Sequence, residues 1–321
     1  MILITEFMDE SAVDLLKRKY NVYYDSSLAE DSNSLVKLIN KMKALIVRNK
    51  TLVTRELIEN APNLTCVGRL GVGLDNIDLN ACEEQNITVY PALGANSHSV
   101  AEYVICASML LLRKAYFKKN EMIAGNWPRQ ESSGSEVYGK TLGLIGFGDI
   151  AQKTRDLALG LGMKTVAYDP YLDKDSNVWK ETKNLDLDNL LSISDIISLH
   201  IPLSKETKNL IDKKKLRLIK NSSVIINAAR GGVIDENQLA KLLKENKIGG
   251  AALDVFNEEP VNKDCAKKFE GINNLILTPH IGGVTKESNE RVSEMIAKKL
   301  IFIFQNKDYK PYHISLLRYL T

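Results

Sequence analysis

The sequence predicts an α/β protein of two doubly wound parallel-sheet domains, the second inserted into the first. Three observations point there. Short apolar strands alternate with amphipathic helical stretches along most of the chain. A second series of the same kind opens near Lys140, on a glycine-containing turn. A long helical stretch with one apolar side, 285–304, can return the chain to its first half. The 321 residues leave room for about two domains, and 44% hydrophobic content is ordinary for a globular chain.

In the first series, strands are expected over 2–7, 22–24, 44–47, 65–67 and 87–90. These short runs are mostly apolar, as strands covered on both faces tend to be. Apolar residues at helical spacing mark 10–19 and 34–41 between them. A longer helix follows over 99–113, with Ser97 or Ser99 placed to cap it. Another runs over about 114–124 and stops at Gly125, because glycine ends helices readily. Residues 126–138 are polar, contain Gly and Ser, and leave Trp127 exposed. The second series of strands is expected over 141–145, 165–168, 195–199, 223–227, 251–255 and 275–277. The expected division is 1–97 with 286–321 as one domain and 98–285 as the other.

Lys and Arg outnumber Asp and Glu by 43 to 40, a net charge of +3 spread along the chain. That is too weak a field for nucleic-acid or membrane-surface binding. No apolar stretch approaches the roughly 18 residues of a membrane span, and the start MILITEFMDE reads as a strand, not a signal peptide. The four cysteines and four histidines are scattered without ligand spacing, so neither disulfides nor a metal site is expected. A cytoplasmic location fits reduced thiols.

The strand at 141–145 runs into Gly146-Phe147-Gly148-Asp149-Ile150-Ala151 and then a helix to about 161. This is G-x-G-x-x-A in strand–turn–helix context. Gly146 permits the turn, Gly148 lets a pyrophosphate approach the backbone, and the helix N-terminus at Asp149 and Ile150 offers free N–H groups. Asp169 ends the next strand, 23 residues after Gly146 (169 − 146). An acidic residue about 20 positions on bonds ribose hydroxyls and repels a 2′-phosphate, which favours NAD over NADP. Asp149 is awkward, since its carboxylate would repel the pyrophosphate; its side chain is expected in water.

Arg230 lies just after a strand end, between Ala228-Ala229 and Gly231-Gly232, small residues that leave space for a ligand. A guanidinium there can engage a carboxylate and the neighbouring C2 oxygen together. His280 follows the strand at 275–277 and precedes Gly282-Gly283, and Glu259 lies in Asn257-Glu258-Glu259-Pro260. A carboxylate beside an imidazole favours its charged form and fixes its tautomer. Holding a carboxylate, moving a proton and setting imidazole charge are what oxidation of a 2-hydroxy acid needs.

With these residues, the chain resembles the D-isomer-specific 2-hydroxyacid dehydrogenase family, above all its phosphoglycerate dehydrogenase branch, over nearly its whole length. The resemblance is carried by Leu45-Ile46-Val47-Arg48, the run from Gly68 to Asp78, the glycine turn, Asn227 to Gly232, Ala251 to Pro260, and Thr278 to Gly283. It implies a Rossmann NAD domain inserted into a flavodoxin-like substrate domain, in a short form without a regulatory domain. It implies Arg230, Glu259 and His280 as the catalytic triad, with Asp254 on the nicotinamide amide. Ala228 and Ile201 would line the cofactor cleft, with Gly282 and Gly283 beside them. The N–H groups of Val72 and Gly73 would receive the substrate carboxylate. A homodimer is implied, with the arm around Trp127 reaching its partner. Tyr103, where relatives place a histidine, is expected to touch only helix packing.

By the same similarity, Arg48, Arg69 and Arg129 would bind a distal anion on the substrate. A phosphate suits them, so 3-phosphoglycerate is the first expectation, and serine biosynthesis with it. The alternatives are sulfolactate, since Gly94-Ala95-Asn96 with Ser99 to Tyr103 resembles sulfolactate dehydrogenases, or hydroxypyruvate and glyoxylate. A remoter reading is an NAD-sensing scaffold of the same fold that turns over feebly.

Overall fold

A computed structural model describes residues 1–115 and 118–306 of the chain. It contains two compact units, residues 1–96 with the segment from Thr285, and residues 97–284.

In the first unit the strands are β1 (Ile2–Ile4), β2 (Val22–Tyr24), β3 (Ala44–Val47), β4 (Cys66–Arg69) and β5 (Thr88–Pro91). Helices α1 (Glu10–Lys17), α2 (Ser32–Ile39), α3 (Arg55–Glu59) and α4 (Leu79–Glu84) connect them. All strand pairs are parallel, in the order β2-β1-β3-β4-β5, which is the flavodoxin-like order. Every residue of β1 and β3 is buried, because each face carries its own apolar layer. Leu45 and Val47 face the side of Leu35, Leu57 and Ala81. Ile2, Ile4 and Ile46 face the side of Val13, Leu16, Ile296 and Leu300.

The second unit starts with α5 (Ser97–Arg113) and α6 (Lys119–Ile123). Strands β6 (Thr141–Ile145), β7 (Lys164–Tyr168), β8 (Lys183–Asn184), β9 (Ile196–Leu199), β10 (Val224–Asn227), β11 (Gly250–Leu253) and β12 (Leu275–Leu277) follow. Between them lie α7 (Asp149–Gly160), α8 (Leu187–Ile193), α9 (Lys213–Leu216), α10 (Glu236–Lys244) and α11 (Lys263–Ala266). The sheet is parallel throughout, in the order β12-β11-β10-β9-β6-β7-β8. Its strand order reverses between β6 and β9, the point where such sheets bind nucleotides. The last helix, α12 (Lys286–Gln305), belongs to the first unit; Thr285 caps it with a reciprocal pair of bonds to Ser288.

Several expected elements differ. The helix expected over 114–124 is the short α6, because Lys114 turns left-handed at φ 52° and stops α5 there. The strand expected over 2–7 ends at Ile4. The two-residue β8 leaves no signal in the sequence, since its residues are polar and exposed. The tail beyond 306 lies outside the described residues.

Candidate active site

The nucleotide turn is built as its sequence requires. Gly146 has φ 85°, and a Cβ on it would lie 2.4 Å from the His200 carbonyl oxygen and 2.7 Å from Ile201. Packing alone therefore requires a glycine there. Gly148 is different: a Cβ on it would meet nothing within 4 Å. Open space beside an α7 N-terminus that lacks a side-chain cap fits an anionic group close to the backbone. The Asp169 carboxylate accepts the N–H of Phe147 at 2.9 Å through Oδ2 and those of Tyr171 and Leu172 at 2.9 and 3.2 Å through Oδ1. It thereby holds the glycine turn as well as the end of β7. Asp149 is ion-paired to Lys153, one helical turn on. Burial raises its pKa, but the bonds from Lys153 and Ser97 outweigh that and keep the carboxyl below its usual range.

Three strand ends of the same sheet bring the expected triad together. Buried Asn227, last in β10, folds the next turn onto itself: its Oδ1 accepts the Ala229 N–H (3.1 Å) and its Nδ2 donates to the Arg230 carbonyl (2.8 Å). Arg230 Nη1 donates to the Ala229 carbonyl at 2.7 Å. Gly231 is jammed against the loop after β11, where a Cβ would lie 1.8 Å from the Phe256 carbonyl oxygen. In that loop Glu259 Oε1 accepts the Phe256 N–H at 2.9 Å, and Oε2 lies 2.7 Å from His280 Nδ1. Burial raises the Glu259 pKa; the His280 and Phe256 hydrogen bonds and the Arg230 charge overcome this and hold it below the carboxylate norm.

Asp254, 1% exposed, organises the His280 turn. Its carbonyl accepts the His280 N–H at 2.8 Å. Its carboxylate accepts the Thr278 hydroxyl (2.6 Å) and the N–H groups of Ile281 (2.8 Å) and Gly282 (2.7 Å). Gly282 packs against Asp254, Ala228 and Tyr103, and Gly283 continues the turn, half-buried. Tyr103 corrects the sequence expectation. Its hydroxyl lies 2.6 Å from Thr278 Oγ1, and since Thr278 gives its proton to Asp254, Tyr103 donates into the network. Asp254, Thr278 and Tyr103 were invisible as a group in the sequence, because 175 positions separate the outer two.

The remaining groups divide between the units. In the first, Arg48 follows β3 and donates from Nη2 to Asn289 Oδ1 at 2.8 Å. Arg69 ends the adjacent β4, donates to the Leu70 carbonyl at 3.0 Å, and lies on Gly71, where a Cβ would be 1.6 Å from its Nη1. The turn then presents Val72 and Gly73; no acceptor among the described residues takes their N–H groups. Two adjacent open donors suit a carboxylate. Arg129, in the second unit, does not join the triad. It lies with Trp127, Met109 and Leu161 along an apolar groove of about 1080 Å³. Among the described residues no His, Cys, Asp and Glu cluster could hold a metal, and no helix is long and apolar enough to cross a membrane.

Comparison with known proteins decides the family. Residues 105–282 match the NAD binding domain of the D-isomer specific 2-hydroxyacid dehydrogenases. The chain is 48% identical over 293 residues to (S)-sulfolactate dehydrogenase of Chromohalobacter salexigens, covering 91% of this chain and 94% of that one. This chain belongs to the D-isomer specific 2-hydroxyacid dehydrogenase family. It is also 35% identical over 300 residues to D-3-phosphoglycerate dehydrogenase of Archaeoglobus fulgidus, covering 94% of this chain but only 56% of that relative. Among solved structures it is similar to D-lactate dehydrogenase of Aquifex aeolicus in complex with NAD and lactic acid. The TM-score there is 0.82, with 27% identity over 96% of each chain. The second unit is thus the NAD-binding domain of an NAD-dependent 2-hydroxyacid dehydrogenase.

Proposed function

We propose that this chain interconverts a 2-hydroxy acid bearing a second, distal anion and the corresponding 2-oxo acid, with sulfolactate ahead of 3-phosphoglycerate. The observation that carries the chemistry is the 2.7 Å contact between His280 Nδ1 and Glu259 Oε2. With Nδ1 engaged by a carboxylate, Nε2 is the nitrogen left for the substrate oxygen. In oxidation, His280 takes the C2 hydroxyl proton while the C2 hydrogen leaves as hydride. NAD supplies the hydride acceptor. Glu259 supports the imidazolium so formed, and Arg230 holds the substrate carboxylate and polarises the C2 oxygen. In reduction the same imidazolium returns the proton. A placed acid–base group contributes about 10²–10⁴ in rate. Val72 and Gly73 offer N–H donors to a carboxylate, and Arg48 and Arg69 offer charge to the distal anion.

The order of substrates reverses the sequence-based preference. It rests on 48% identity over 94% of the sulfolactate enzyme, against 35% over 56% of the phosphoglycerate enzyme; a tetrahedral sulfonate and a phosphate suit the same arginines. The deciding assay follows NADH and NADPH oxidation with sulfopyruvate, phosphohydroxypyruvate, hydroxypyruvate and glyoxylate. Sulfopyruvate with NADH should show the highest kcat/KM, and His280→Ala should lower it about 10²-fold or more. Full activity in His280→Ala would overturn the chemistry, and a preference for glyoxylate would overturn the distal anion. The assembly is read as a cytoplasmic homodimer. Trp127 and Ile123, 75% and 74% exposed beside the apolar groove, are the surface a second copy would cover.

A further inference from the structure

The flavodoxin-like sheet of the first unit reverses its strand order between β1 and β3. Open α/β sheets bind ligands at such a reversal, beyond the carboxyl ends of the strands. Two charged residues stand there: Glu6, shortly after β1, and Arg48, immediately after β3. Glu6 is 5% exposed. Its Oε1 accepts the N–H groups of Arg48 (2.8 Å) and Thr51 (2.9 Å), and its Oε2 those of Lys50 (3.0 Å) and Asn49 (3.2 Å). Four successive backbone donors close around one carboxylate. Asn76 ties the turn from another direction, donating to the carbonyls of Thr51 (2.7 Å) and Arg48 (3.2 Å). The backbone of Arg48 is therefore held on two sides.

Its side chain is held differently. Arg48 Nη2 donates to the amide oxygen of Asn289, in the first turn of α12. Burial pulls the guanidinium below its ordinary pKa, with the Glu6 charge opposing, yet an arginine stays protonated. Among the described residues no carboxylate is ion-paired with it, and the Glu6 oxygens are already engaged by backbone. A desolvated guanidinium on a neutral acceptor keeps its charge for an incoming anion; a carboxylate in the same place would neutralise it.

We infer that Asn289 is a positioning residue that makes this enzyme selective for 2-oxo acids with a distal anion, holding Arg48 through a neutral acceptor while Glu6 fixes its backbone. The inference rests on the reading of Arg48 as a distal-anion group. It adds the residues that set the selectivity, Asn289 and Glu6, neither of which needs to touch the substrate.

The test is Asn289→Asp, nearly isosteric at a half-buried site, beside Arg48→Met. The readout is the ratio of kcat/KM for the better of sulfopyruvate and phosphohydroxypyruvate to kcat/KM for glyoxylate, which lacks a distal anion. The new carboxylate ion-pairs with Arg48 and competes with the substrate, so the ratio should fall about tenfold or more in Asn289→Asp. The loss should come through KM for the larger substrate, since Arg48 acts on a group that hydride transfer leaves unchanged. A fall of less than about threefold, or one carried by kcat alone, overturns the inference. If Arg48→Met still collapses the ratio in that case, the distal-anion reading stands without Asn289. If Arg48→Met also leaves the ratio within about threefold, that reading fails as well.

Discussion

His280 meets Glu259 from a left-handed backbone, φ 55°. For a residue with a Cβ this costs roughly 1–3 kcal/mol, so surrounding bonds must impose it. Asp254 does so by accepting from the His280, Ile281 and Gly282 N–H groups and the Thr278 hydroxyl. Asp254→Asn points an amide N–H₂ at one set of those donors, so kcat should fall about tenfold or more while the protein stays folded by circular dichroism. Gly231→Ala forces a Cβ to within 1.8 Å of the Phe256 carbonyl oxygen. It should destabilise by about 1–3 kcal/mol, read as a lower Tm, and impair turnover by moving the Glu259 loop. Glu259 adds a pH dependence. Its folded pKa is depressed, so its contribution to stability is present above the ordinary carboxylate value and lost as pH falls through the folded value. Thermal melts at pH 7 and pH 4 should therefore show a smaller Tm drop for Glu259→Gln than for the parent; an equal drop would place the acid sensitivity elsewhere.

At the scale of elements, the glycine turn between β6 and α7 combines two requirements. Gly146 answers to internal packing and Gly148 to space left outside. Asp169 serves both: three backbone donors fix it, and it remains only half-buried at the strand end. A negative charge at such a strand end disfavours a 2′-phosphate in general. Asp169→Ser should narrow the NADH over NADPH preference in kcat/KM by about tenfold; an unchanged ratio would locate cofactor choice in another residue. The α12 cap is local in origin. Thr285→Ala removes the bond to the Ser288 N–H and should cost about 1 kcal/mol of stability. Strand centres were readable because central strands of a covered sheet are apolar throughout. Their ends were less so: β4 and β5 run on through Arg69 and Pro91, because the pairing partner decides where a strand stops.

For the whole molecule, the Trp127 groove yields the broadest expectation. If a second copy covers it, the 35.9 kDa chain should sediment at about twice that mass, and Trp127→Asp combined with Ile123→Asp should give monomers. A dimer that survives both changes would put the interface elsewhere. Local sequence determined much of this protein. Parallel strands, the glycine turn and the acidic strand end each follow from a periodicity or a short motif, because backbone propensity and burial act over a few residues. Other features were decided only by the tertiary structure. Glu6 closing the 48–51 turn, Asn289 holding Arg48 from 241 positions away, and Tyr103 reaching Asp254 through Thr278 depend on hydrogen bonds between distant segments. Such bonds leave no local periodicity, since a polar residue after a strand looks the same whether water or a buried partner satisfies it.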